Sequence, residues 1–444
     1  MLTRRATHSR PRMQNRPVSL IRLAGLPLSL TLLSILAGSV INRVMVVELG
    51  LPVILAGLFI AIPLLISPVR IWLGHLSDAY PLWGRRREPY LMLGALLSGF
   101  GVALSVALVV QTPPLASGAT AWILLGLLLY GVGRNLTGNT FQALLTDRFA
   151  AGVARARAAN LYEVIKLLGL VGGAGVLGLA LRPYSNERLV LVVALLSALA
   201  VLLSVLGALG QEPRSARLRK AAEAARAASF RHSFRTLVWE DPQARLFLLV
   251  IMLTVLGTQM QDVLMEPYAG LVLGMDVAAT TRLTMFWGLG ALASILLSGL
   301  VLVRWLGLAR LYRLGIGLLL PLFVLVVLAG VLQRPLLLQL SVLGLGLSSG
   351  LAAASLLAQA VEFTSARSAG LLLGVWGLGF QLGRALASVL GAGLVDLMNL
   401  MTDDAPLLAY GAGFAVEAAL LMGALLAYGR LRLRAACALS GGGH

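Results

Sequence analysis

The apolar residues of this chain fall into twelve runs, each long enough to cross a bilayer, and this limits its fold more than any other feature. The runs centre on residues 18–47, 51–75, 89–111, 120–146, 159–181 and 187–209. After one polar stretch they resume at 245–269, 281–303, 310–331, 335–361, 368–397 and 406–430. A hydrocarbon core about 30 Å thick takes roughly 20 helical residues to span, and in lipid each run satisfies its own backbone only as a helix. The fold class read from the sequence is therefore an all-α polytopic membrane protein with six helices, a gap and six more. With 59% of residues hydrophobic and 12% charged, no polar segment is large enough for a soluble catalytic domain. The first run is too long for a signal-peptide core and reads as the first span.

The spacing divides the chain into an N-terminal tail (1–17), a six-helix half (18–210), a polar linker (211–243), a second six-helix half (244–430) and a C-terminal tail (431–444). The net charge is +18, and nearly all the basic residues are arginine. Counted over alternate loops, 28 Arg and Lys residues share the side of the termini, four lie opposite, and Arg43, Arg134, Lys166 and Arg384 fall inside helices. The positive-inside rule places the 28 in the cytoplasm, and both termini with them. That asymmetry accounts for the charge without nucleic acid. In the linker, Leu218, Ala222, Ala225, Phe230, Phe234 and Leu237 recur at helical spacing between arginines, as expected of an amphipathic helix on the inner leaflet.

The single cysteine, Cys437, excludes an intramolecular disulfide and a thiolate metal site. Gly172-Gly173-Ala-Gly175 lacks a preceding strand and sits in an apolar run, so it is no nucleotide loop. The chain shows no Walker motif, no Ser-His-Asp arrangement and no paired carboxylates at a soluble surface, so it reads as a non-enzyme.

The two halves echo each other. The first helix ends Asn42-Arg43-Val-Met-Val-Val-Glu48 and the seventh Gln261-Asp262-Val-Leu-Met-Glu266-Pro267; Gly131, Gly133 and Asp147 in the fourth correspond to Gly344, Gly346 and Glu362 in the tenth. Repeated halves that rock against each other are the device of secondary transporters. Between helices 2 and 3 stand Gly74, Asp78 and then Gly84-Arg85-Arg86-Arg87. This resembles the loop motif of the major facilitator superfamily, in which an aspartate and arginines latch the cytoplasmic ends of neighbouring helices. Here five residues separate Asp78 from Gly84, where most members of the superfamily have two.

Four stretches resemble one branch of that superfamily, the PucC/LhaA family of assembly proteins for bacteriochlorophyll antennae. They are Asn42 to Pro52; Gly84-Arg-Arg-Arg-Glu-Pro89-Tyr90; Met260-Gln-Asp-Val-Leu-Met-Glu266-Pro267-Tyr-Ala-Gly270; and Gly370-Leu-Leu-Leu-Gly374-Val-Trp376-Gly377 with Asp396 downstream. The resemblance spans about residues 30–430. It implies a role in building light-harvesting complex 1 or 2 in a bacterial inner or intracytoplasmic photosynthetic membrane. Antenna polypeptides and bacteriochlorophyll synthase are the partners it suggests, with bacteriochlorophyll as a transient ligand.

Ionisable residues within lipid are costly unless they are paired or line a pathway. Two groups follow from depth. The first is a polar cluster at the ends of helices 1 and 7: Asn42, Arg43, Glu48, Gln261, Asp262 and Glu266, with Arg43 expected to meet Asp262 or Glu266. Such pairs could lock the halves together or form a substrate or proton route. The second is a central cleft of Arg134, Asn139, Gln142, Gln381, Arg384 and Glu417, in which two arginines from opposite halves could clasp an anion or simply pair with Glu417 or with helix carbonyls. That cleft carries the runner-up reading, a proton-coupled transporter of a small anionic or amphipathic solute. All four histidines (His8, His75, His232 and His444) lie at or beyond the membrane edge. No histidine is therefore placed to hold a tetrapyrrole magnesium mid-membrane, which argues for transient handling and no permanent cofactor.

Overall fold

The structure, a computed structural model, describes residues 17–111, 118–149, 153–212, 242–362, 369–402 and 405–431. The two tails, apart from residues 17 and 431, and nearly all of the proposed linker helix lie outside these. Among the described residues there are no strands, only an isolated bridge between Leu82 and Arg85 in a turn.

Eleven helices are long and apolar enough to cross a membrane. They are α1 (Leu20–Glu48), α3 (Glu88–Gln111), α4 (Ala119–Arg148), α5 (Val153–Ala180), α6 (Asn186–Ala208), α7 (Arg245–Leu273), α8 (Val277–Leu297), α9 (Val303–Val331), α10 (Pro335–Glu362), α11 (Ala369–Met401) and α12 (Pro406–Gly429). The remaining crossing, α2, is built in two pieces, Val53–Leu65 and Val69–Ala79. The uninterrupted run at 51–75 gave no hint of this break, but proline explains it. Pro63 and Pro68 cannot donate to the helix ladder and clash with the preceding turn, and the chain passes through a turn at 66–68. The protein is thus a multi-pass membrane protein of six plus six helices, with both described ends on one side. We call that side the basic end.

The halves meet along two seams, α2 against α11 and α5 against α8. Glycine permits the close approach. A Cβ at Gly57 would fall 2.6 Å from the Ala392 Cβ on α11, and one at Gly178 would fall 2.9 Å from the Ala278 carbonyl on α8. Within each half the repeat glycines do equivalent work. Gly131 and Gly133 press α4 onto α2 and α3, while Gly346 and Gly344 press α10 onto α8 and α9. Small residues let helix backbones approach where lipid supplies no hydrophobic drive between helices.

Candidate functional site

Helix α1 is not α-helical throughout. Two π-turns, Leu36–Val40 and Val44–Glu48, flank a short α-segment at Ile41–Arg43. Five residues on an α-helix place side chains about 140° apart, whereas a wider π-turn brings them to one face. Arg43 consequently reaches Glu48, its own helix neighbour, and donates from Nη2 to the Met275 carbonyl at 2.9 Å. This corrects the expected pairing of Arg43 with Asp262 or Glu266. Gly270 makes room: a Cβ there would stand 3.3 Å from the Arg43 Nε. Asn42 donates across the same seam to the Asp262 and Val263 carbonyls at 3.3 and 3.0 Å. Glu266 accepts from the Thr284 hydroxyl at 3.0 Å, and that hydroxyl also meets Ser39 at 2.8 Å. Gln261 is spent locally, donating to the Thr258 carbonyl. The six residues of the cluster do converge on the α1–α7 region, but through backbone carbonyls and hydroxyls rather than a cross-half ion pair.

Asp262 faces another way. Its Oδ2 accepts from the Arg384 Nε and Nη2 at 2.8 and 2.6 Å, so the pair joins α7 to α11 within one half. Beside it lies a recess lined by Ser34, Gly38, Phe59, Pro63, Tyr130, Arg134 and Arg384, among others. Arg134 and Arg384 therefore meet at one cavity, from α4 and α11 respectively. The rest of the proposed cleft separates from them. Asn139 and Gln142 accept from Arg70 at 3.3 and 2.7 Å, and Asn139 donates back to the Arg70 carbonyl. Gln381 is half-buried one turn before Arg384. Glu417 is fully buried and does not line the recess. It sits behind α7, whose Gly257 packs against its carbonyl, and the Gln261 backbone N–H faces its carboxylate without closing a hydrogen bond of normal geometry. Depth alone had grouped Glu417 with the arginines; the helical face it occupies on α12 separates them.

At the basic end, the loop between α2 and α3 is pinned by residues that the motif did not single out. Gly84 at φ +72° turns the chain, and a single Glu212 oxygen then accepts the Arg86 and Arg87 backbone N–H groups at 2.8 and 2.7 Å. Glu88 returns the bond by accepting from the Glu212 N–H at 2.6 Å, and it also pairs with Arg85. Arg87 continues to Asp147 at 3.0 Å and to the Ser77 hydroxyl at 2.9 Å. Burial pushes the Glu212 carboxyl up from its usual range, opposed by the Arg87 and Arg86 N–H groups and charges. The latch thus ties α3, α4 and the end of α6 together. The side chains of Gly74 and Asp78 lie outside the described residues. Glu212 was legible only as a rare acid beside an arginine-rich segment.

Polar links between the halves gather at the end opposite the basic one. The Asp396 carboxylate of α11 accepts the Val53 and Ile54 N–H groups at 2.9 and 2.7 Å, capping the first turn of α2 from the other half. Arg182 pairs with Asp276 at 3.0 Å, and Asp276 also caps α8 through the Ala279 N–H. Together with the Arg43, Asn42 and Ser39 contacts, these link the halves at that end.

The sequence profile of the PUCC protein family matches residues 40–436, so it takes in both halves and both seams. The chain belongs to the PUCC family. Among similar relatives, a Rhodobacter capsulatus protein described as an uncharacterized protein in the puhA-bchM intergenic region is 32% identical, covering 93% of this chain and 88% of its own. The Rhodobacter capsulatus "Bacteriochlorophyll synthase 44.5 kDa chain" is 30% identical over 94% and 96%. Protein PucC of Cereibacter sphaeroides is 30% identical over 90% and 89%. Among solved structures, the nucleoside transporter NupG superposes with a TM-score of 0.73 at 16% identity, covering 93% of this chain and all of that one. A peptide transporter POT in complex with sulfate gives 0.67 at 17% identity, over 95% and 97%. This PUCC protein therefore has the major facilitator transporter fold.

Proposed function

We propose that this PUCC-family protein is a non-enzymatic assembly factor for bacterial light-harvesting antenna complexes. It would hand over bacteriochlorophyll transiently or chaperone antenna polypeptides, acting beside a bacteriochlorophyll synthase in the inner or intracytoplasmic photosynthetic membrane. The observation that carries the reading is the family match across residues 40–436, together with relatives whose names concern PucC and bacteriochlorophyll synthase. Two features of the molecule fit it. The halves are linked at the opposite end, and the α7 stretch Met260 to Gly270 that resembles the family packs against α1, where Asn42 and Arg43 engage it. Pigment held only in passing suits a membrane interior with no histidine for a magnesium.

Deleting the gene in its phototrophic host is expected to lower antenna absorbance several-fold while leaving reaction centres largely intact, read from near-infrared spectra of membranes. Antenna absorbance equal to wild type would sink the reading.

The excess of arginine at the basic end puts that end, with both termini, in the cytoplasm. The lone Cys437 gives a direct check. A membrane-impermeant maleimide is expected to label inverted vesicles and to leave intact spheroplasts unlabelled; the reverse pattern would invert the topology.

A further inference from the structure

Arg134 stands apart from the other arginines of the helix interior; it is half-buried, as are Arg70 and Arg384. Arg43 has Glu48 and a carbonyl, Arg384 has Asp262, and Arg70 has Asn139 and Gln142. Among the described residues Arg134 has neither a hydrogen bond nor an ion pair, although it projects from the middle of α4 into the recess. Two guanidiniums thus share the recess wall, and the carboxylate that meets them there among the described residues, Asp262, is already engaged by Arg384. An unneutralised cation within a membrane protein is costly. A fold that keeps one at a cavity wall has a place for an anion.

The rest of the lining narrows the ligand. Phe59, Ile60, Pro63 and Leu64 of α2 and Ala37 of α1 are apolar, and the Tyr130 ring completes the wall. The recess is open on one side, and its cavity volume of about 30 Å³ takes a small polar head and no more. A chain on that head would leave along the apolar α2 wall through the open side. We infer that the recess binds the anionic head of an amphiphile, a carboxylate or phosphate on an apolar chain, with Arg134 as its principal cation. The guanidinium fork matches both head groups in geometry. This site goes beyond the assembly role and stands whether or not that role is correct.

The test uses the full-length protein in a non-ionic maltoside, with dodecanoate and dodecyl phosphate as probes and methyl dodecanoate and acetate as controls. Both anionic probes are expected to raise the thermal unfolding midpoint and to bind saturably, while the controls at equal concentration do neither. R134Q should lower the probe affinity at least tenfold, and R134K, which keeps the charge without the fork, should fall between R134Q and wild type. Because Arg134 has no partner to lose among the described residues, R134Q without ligand should unfold at or above the wild-type temperature. Equal binding of the methyl ester would overturn the anionic head, and equal binding of acetate would overturn the apolar chain. Unchanged dodecanoate affinity in R134Q would remove Arg134 from the site. A large drop in the ligand-free midpoint of R134Q would mean that Arg134 has a structural partner, which also overturns the inference.

Discussion

Gly346→Val is expected to abolish accumulation of the folded protein. A Cβ at Gly346 on α10 would lie 2.0 Å from the Trp287 carbonyl oxygen of α8 and 2.8 Å from its carbon. Gly290 on α8 meets the reciprocal limit, 2.0 Å from the Leu343 carbonyl oxygen. Both obstacles are backbone in the middle of helices, so no rotamer change relieves the clash and the helices must separate. Overpacking of a close interface costs about 1–3 kcal/mol, occasionally more, and a rigid backbone contact belongs at the upper end. Even Gly346→Ala should lower the unfolding midpoint measurably. Gly317 on α9 provides the control: nothing lies within 4 Å of a Cβ there, and alanine, the better helix former by about 1 kcal/mol, should be neutral or stabilising. Size-exclusion profiles and thermal unfolding in detergent read both. A Gly346→Val protein that elutes and melts like wild type would show that α8 and α10 are not packed as described.

The second large effect is expected at Asp262. Two Arg384 N–H groups converge on one oxygen of this carboxylate in a half-buried setting. Asp262→Ala leaves the guanidinium uncompensated beside Arg134, and the expected cost is about 1–3 kcal/mol, less than for a fully buried pair. Arg384→Met should cost less, since the stranded carboxyl can take up a proton, whereas a guanidinium cannot give one up. The double variant should recover most of the loss, with a coupling of about 1–2 kcal/mol in a double-mutant cycle of thermal unfolding. Strict additivity of the two single changes would show that the pair contributes nothing as a pair.

The gap between reading and structure at the site has a physical pattern. Arg134 and Arg384 were legible because arginine inside an apolar run is conspicuous, and they do meet at one cavity. Arg43 was equally conspicuous, but its partner was not: the pairing with Asp262 or Glu266 rests on helices 1 and 7 facing each other, and the π-turns of α1 bring Glu48 of the same helix round instead. Glu417 matched the arginines in depth but sits behind α7, and only the packing of α12 fixes which side it presents. Arg70 and Glu212 were hidden among charges that register membrane orientation, yet one is fixed to α4 and the other holds the α2–α3 loop.

What the sequence determined by itself is the architecture. Lipid forces each apolar run into a helix whatever its neighbours do, so the number of crossings, their two sixes and the family stretches could all be counted along the chain. The break in α2 escaped only because apolarity does not register proline's missing donor. The tertiary structure alone decided which polar groups meet. Hydrogen bonds and ion pairs depend on distances of about 3 Å, and a π-turn or a rotation of one helix moves a side chain farther than that without altering the apolar pattern. The Asp396 cap across the seam, the Asp262–Arg384 pair and the place of Arg134 at the recess beside Arg384 belong to that second kind of information.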